Sequence, residues 1–210
     1  MIRNADIKSG GKNMEENNIS QRDYIIVSAI ELISDSGLSA LSMKHLSYRS
    51  NISEAMIYKL FGGIGEVLVA VVETFVKFDK SIRQTVLSKD SSSISKIKDF
   101  FNAYATYYEN YKEITAVILN YEELLHNADT RELVTNCIQD RDKVLRQLIK
   151  EGLEKNEIKD IFTTEELSDI LISVMNGMIL NRRVIQHEKS LKDEMLETVE
   201  KLMKLIAVVP

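Results

Sequence analysis

The chain has 210 residues, 44% of them hydrophobic, with a net charge of −5, one cysteine, one proline and no tryptophan. The lone Cys137 excludes an intramolecular disulfide framework and a cysteine zinc site. No apolar run approaches 18 residues and no signal-peptide pattern is present, so the chain reads as soluble and cytoplasmic, with no membrane partner. The proline is Pro210 and the glycines number only eight, so the composition favours an all-α fold, and the length suits either one large helical domain or a small module fused to a larger one.

Charge is uneven along the chain. Residues 1–65 carry seven basic and seven acidic side chains, while the remainder carries 20 and 25. The N-terminal part is the less acidic one without being a basic arm, so attraction to a polyanion from one subunit is modest, which argues for a dimer or against DNA.

Residues 1–18 are polar and aperiodic and read as a disordered tail, in which Asp6, Glu15 and Glu16 offset Arg3, Lys8 and Lys12. From Gln21 to Ser36 the apolar residues Ile25, Ile26, Ala29, Ile30 and Ile33 repeat at helical spacing, and Gly37 ends the helix. Ser42 to Phe61 then reads as two short helices with the same entry signal. Ser42 caps the first, with Leu41 and Leu46 as a hydrophobic staple; Ser53 caps the second, with Ile52 and Ile57 in the same roles. Asn51 tolerates the left-handed turn between them. This is the layout of a helix-turn-helix, whose second helix can enter a DNA major groove.

On that second helix Ile57, Leu60 and Phe61 share the inward face, leaving Glu54, Ala55, Tyr58 and Lys59 outward. Tyr58 and Lys59 suit phosphate contact; Ala55 suits a thymine methyl and Glu54 a cytosine amino group. Ser42, Lys44 and Ser53 sit at helix starts, where free amides and the dipole favour phosphate. The plainer alternative is that Tyr58 packs and Lys59 is solvated.

Gly62-Gly63-Ile64-Gly65 marks a flexible joint before a long helix near Glu66. Further helices are expected at 66–87, 94–109, 112–126, 129–154, 163–187 and 191–207, with Thr163 to Glu166 forming a capping box. Tyr104, Tyr107, Tyr108, Tyr111 and Tyr121, with Phe100 and Phe101, could line an apolar pocket with phenolic hydroxyls for a flat or lipophilic effector. Asn120, Glu122, His126, Asn176 and Arg182 are candidates for its rim. Ordinary core tyrosines are the alternative.

The run from Arg22 to Leu68 resembles the DNA-binding domain of TetR-family transcriptional repressors. It reads R-x-x-I-I-x-x-A at 22–29, Gly37, L-S-M-K-H-L-S at 41–47, N-I-S-E-A-M-I-Y-K-L-F at 51–61 and E-V-L at 66–68. The chain departs from that pattern at Ser47 to Asn51, at Ala55-Met56, where the family usually has Gly-Thr, and at Ile64, where it usually has lysine. The resemblance implies a DNA-binding domain over 19–79, with its motif at 42–61, and an effector-binding and dimerisation domain over 80–210. Its partners would be double-stranded DNA, a small-molecule effector and a second copy of the chain, with no cofactor. The dimer would form through the last two helices, on Ile170, Val174, Gly177 and Met178 of one and Met195, Val199 and Leu202 of the other. Those stripes could equally complete the subunit's own core.

An enzyme is not indicated. His45, His126 and His187 have no serine or cysteine partner pattern, and no phosphate-binding glycine loop is present. Glu123-Leu-Leu-His126 has the spacing that di-iron bundles use in pairs, but no second copy exists. The remaining rival is a helical interaction protein of the same fold with degenerate DNA binding.

Overall fold

The computed structural model describes residues 20–185 and 188–208. The tail expected over 1–18 and His187 therefore lie outside the described residues. Among those described, the chain is helical and forms no strand beyond one isolated antiparallel bridge between Ile158 and Ala207.

The helix α1, Gln21–Ser36, starts where Ser20 Oγ accepts from the Asp23 amide at 3.1 Å. It ends at Gly37, which takes φ 84° and donates its amide to Ile33 O at 2.9 Å. A 3₁₀ turn over Leu38–Ala40 leads to α2, Met43–Ser50, and α3, Glu54–Phe61. The joint before α4, Ile64–Leu87, is tighter than its glycines imply. Gly62 caps α3 at φ 70°, a conformation that calls for glycine, whereas the Glu66 carboxylate that a Cβ would meet at 2.7 Å can swing aside. The chain bends by 62° at this point. The expected joint falls at this corner.

Helix α4 packs on α1 and α3 and also on α5, Ser93–Asn110, and α8, Arg131–Glu154. It therefore runs unbroken past residue 79 and serves both parts of the molecule. The single helix expected over 112–126 is instead a 3₁₀ turn, Lys112–Ile114, followed by α6, Thr115–Leu119, and α7, Tyr121–His126. The break falls at Asn120, whose side-chain amide donates to Ala116 O at 2.6 Å and so competes for a ladder carbonyl.

Helices α9, Thr164–Val184, and α10, Leu191–Ile206, complete the bundle. The capping box at Thr163 is formed in both directions, with Thr163 N to Glu166 Oε2 at 2.9 Å and Glu166 N to Thr163 Oγ1 at 3.1 Å. Past α8, Asn156 turns the chain at φ 55°, and Lys159 N reaches Ile206 O at 2.8 Å, tying the end of α10 down.

The core is continuous from the small module into the bundle. Its centre is aromatic: Phe100 lies 4.7 Å from Tyr104 and 5.4 Å from Phe101, ring centre to ring centre. Each such side chain contributes about 1.5–3 kcal/mol by burial, which is what holds α5 at the middle of the bundle.

Candidate nucleic-acid interface and effector clefts

Both caps of the helix-turn-helix are formed as the sequence implies. Ser42 Oγ accepts from His45 N and Ser53 Oγ from Met56 N, each at 3.3 Å. Asn51 sits between them at φ 54°, ψ 32°, the left-handed region. Ile57 and Phe61 are buried and Leu60 half-buried, so α3 is locked on its inward face. Glu54, Ala55 and Lys59 are exposed, as is Lys44 on α2, while Tyr58 is 51% exposed. A capping hydroxyl uses only an acceptor lone pair, so Ser42 and Ser53 keep an O–H for a further acceptor.

Two residues here escaped the sequence reading. Tyr48 on α2 is 91% exposed, an aromatic hydroxyl standing in solvent beside the exposed Lys44. Arg49 is committed within the module, to Asp35 at 2.6 Å and Glu31 at 3.4 Å.

The bundle interior holds a polar knot. Asp79 is fully buried; its Oδ1 accepts from Tyr104 Oη at 2.7 Å and from Arg141 Nε at 2.8 Å, and its Oδ2 from Arg83 Nε at 2.8 Å. Burial pushes the Asp79 carboxyl up, but Arg141 and the donated hydrogen bonds outweigh it and hold the group below its ordinary value. Burial pushes the Tyr121 hydroxyl up to about 12, and it raises the Tyr104 and Tyr108 hydroxyls as well. All three phenols thus stay protonated donors near neutral pH. The knot was legible in principle. Asp79 falls on the buried stripe of Val71, Val72 and Phe75, and Arg141 on that of Val134, Cys137, Val144 and Leu148. A charge on an apolar stripe is the informative exception.

Two clefts open onto this interior. One, of about 460 Å³, lies between α7, α8 and α9 and is lined by Tyr121, Arg141 and Asn176 among others. The second, of about 570 Å³, brings Tyr108 together with Arg182, Arg183 and residues 34 and 35 of α1. The hydroxyls of Tyr108 and Tyr121, Asn176 Oδ1 and Arg182 Nε are buried and make no well-formed hydrogen bond within the protein.

The expected effector residues divide accordingly. Tyr121 and Asn176 share the first cleft and Tyr108 enters the second, whereas Phe101 and Tyr104 are core. Glu122 and His126 are a correction: both are exposed and line neither cleft. Leu124 is the buried residue of α7, and positions two before and two after it fall on the opposite face of a helix. Glu123 is exposed with them.

The proposed pairing face also needs correction. Met195 and Val199 are 0% and 1% exposed. They face the subunit's own core, so they have no surface to offer a partner. Ile170 is 38% exposed, Val174, Gly177, Met178 and Leu202 are half-buried, and a Cβ on Gly177 would meet nothing within 4 Å. The exposed apolar surface continues to Leu180 and Val184, at 48% and 76% exposure. That is a stripe along α9 at helical spacing, of the kind that marks an interaction surface. Among the described residues no single helix is long and apolar enough to cross a membrane.

This arrangement of a small helix-turn-helix module on a larger helical bundle has solved counterparts. The ketosteroid transcriptional regulator KstR2 of Mycobacterium tuberculosis matches with a TM-score of 0.80 at 11% identity, over 92% of this chain and 98% of that one. A putative transcriptional regulator from Saccharomonospora viridis in complex with choline matches at 0.77 and 16%, over 90% and 98%. The regulator FadR from Bacillus subtilis in complex with stearoyl-CoA matches at 0.69 and 15%, over 86% and 96%. At these identities the likeness is one of fold. No curated protein matches the sequence. Residues 93–192 match the family described as Tetracyclin repressor-like, C-terminal domain. The fold and this match define a helix-turn-helix transcriptional regulator. Over residues 93–192, a little under half of its length, the chain thus carries the C-terminal domain of the TetR family.

Proposed function

We propose that this protein is a ligand-responsive repressor, without enzymatic activity, that binds a palindromic operator as a dimer and is released by a small effector with substantial apolar surface. The observation that carries the reading is the state of α3. Its inward side is anchored by Ile57 and Phe61, while Glu54, Ala55, Tyr58 and Lys59 stand clear of the module. A helix fixed in that way can be offered rigidly to a groove. Pairing along the α9 stripe of Ile170, Val174, Gly177 and Leu180 would supply the second module. The two clefts beside α9 are where an effector would act, and a ligand that favours a different module spacing lowers DNA affinity by the same coupling factor. The choline and stearoyl-CoA held by fold relatives support a small-molecule effector without naming it.

Footprinting of the protein on the DNA upstream of its own gene tests this. A protected inverted repeat with half-sites about one helical turn apart, roughly 34–36 Å, lost in the Tyr58→Phe, Lys59→Ala double variant, is the expected result. A second reading, a protein of this fold whose DNA binding has decayed, is favoured by Met56 and Ile64. They stand where the family usually has a threonine and a lysine, and both are half-buried. That reading prevails if no genomic site is protected.

A further inference from the structure

We propose that the cleft between α7, α8 and α9 is a receptor for a small, largely apolar carboxylate whose head group is held by Arg141, Tyr121 and Asn176. This rests on the effector-responsive reading above and names the chemical class that the site selects.

Two buried polar atoms converge on this cleft without a well-formed hydrogen bond, Asn176 Oδ1 and Tyr121 Oη, the latter close beside the Arg141 guanidinium. Leaving such groups unpaired is costly, and one ligand head group can meet both. Asn176 can present either its oxygen or its NH₂ by a half-turn of its terminal amide, so it adapts to an acceptor. Tyr121 is a protonated donor. The third polar group at the site is the buried Arg141 guanidinium, which makes the floor of the cleft positive. It is bound by the carboxylate of Asp79, which also accepts from Arg83 at 2.8 Å, while Arg83 in turn lies 3.4 Å from Asp140. A buried cation in that position disfavours an amine and favours an anion.

The acids nearby do not reverse this. Asp142 is bound by Arg146 at 2.6 Å and accepts from Ser168 at 2.7 Å. Asp169 and Glu165 also lie against Arg146, at 3.6 and 3.1 Å. All three share the one guanidinium of Arg146, distinct from Arg141, and the side chains of Glu165 and Asp169 stand largely in solvent, which screens their charge.

One guanidinium and no lysine among the lining residues suits a monoanion better than a phosphate dianion. A guanidinium with a phenol beside it matches the two oxygens of a carboxylate. Ile138 and Ile172 supply apolar wall. At about 460 Å³ the cleft accommodates a molecule on the order of ten to fifteen non-hydrogen atoms. Asn176 lies on α9, the helix that also carries Arg183, so occupancy bears directly on the element that touches the DNA-binding module.

The test is calorimetric titration of the purified full-length protein with octanoate, phenylacetate, octanamide and octanol, in the absence of DNA. Binding of either carboxylate, with octanamide and octanol at least tenfold weaker than octanoate, is expected. Tyr121→Phe, which keeps the ring and removes only the unpaired hydroxyl, is expected to weaken carboxylate binding about tenfold while leaving the circular dichroism spectrum unchanged. Equal binding of octanoate and octanamide overturns the proposal, as does unchanged carboxylate affinity in a folded Tyr121→Phe variant. Absence of binding by both acids at millimolar concentration overturns it too. None of these outcomes touches the footprint on DNA, so failure of the carboxylate site and failure of the repressor reading are separately visible.

Discussion

Arg183, near the end of α9, donates from Nη2 to the main-chain oxygen of Ser34 on α1 at 2.9 Å, and from Nη1 to Thr115 Oγ1 at 3.0 Å. Ser34 lies in the last turn of α1, where carbonyls have no helical partner and the dipole is negative. One guanidinium thus struts the bundle against the helix-turn-helix module. Arg183→Ala is expected to raise amide hydrogen exchange in the last turn of α1 and to cost about 1 kcal/mol in urea unfolding. Arg183→Lys should not restore either, because one ammonium cannot reproduce the planar fork. Unchanged exchange in Arg183→Ala would show that the two parts are held together elsewhere.

Asp79 should dominate the stability of the bundle. Asp79→Ala leaves Arg141 buried and uncompensated and is expected to cost about 3–5 kcal/mol. The folded Asp79 carboxyl is held below its ordinary value of 3.8. Its contribution is therefore complete above that value and lost as pH falls through the lower folded one. Urea titrations from pH 7 down to 3 should show no loss from this group above about pH 5, a fall below about pH 4, and a shallower fall in Asp79→Asn.

Lys59→Ala is expected to weaken operator binding similarly across sequences and to reduce the salt slope of log K by about 1 per subunit. Filter-binding titrations at several salt concentrations measure it. A variant that instead changes the preferred sequence would mean that Lys59 reads a base edge.

Leu180→Glu places a charge on the exposed α9 stripe and is expected to shift the protein to monomer in sedimentation velocity without unfolding it. Met195→Ala, made in the subunit core, is expected to cost about 2–5 kcal/mol in unfolding free energy. If Leu180→Glu remains dimeric, the pairing surface lies elsewhere.

Asn51→Ala should cost about 1–2 kcal/mol because alanine resists the left-handed conformation, and Asn51→Gly should be close to neutral. Thermal unfolding of the two variants side by side gives the comparison.

Local signals carried the small module. Ser42, Asn51, Ser53 and Thr163 each act through atoms three residues away or nearer, so caps and turns written in the sequence were formed where expected. The same locality explains the break at Asn120. Its side chain competes with a carbonyl four residues back, a signal present in the sequence but weaker than the helical periodicity around it.

What the sequence by itself determined was therefore the all-α class, the helix starts capped by Ser42, Ser53 and Thr163, and the outward identity of Glu54, Ala55, Tyr58 and Lys59, because period and capping are properties of neighbours along one chain. Only the tertiary structure decided which apolar stripe was core and which was surface. Met195 and Val199 faced inward, while Ile170 and Leu180 did not. It alone brought Asp79, Tyr104 and Arg141 together from three helices, and Arg183 onto Ser34. Those relations depend on how helices rotate and cross when they pack, and residues as far as 149 positions apart leave no periodic trace of their meeting.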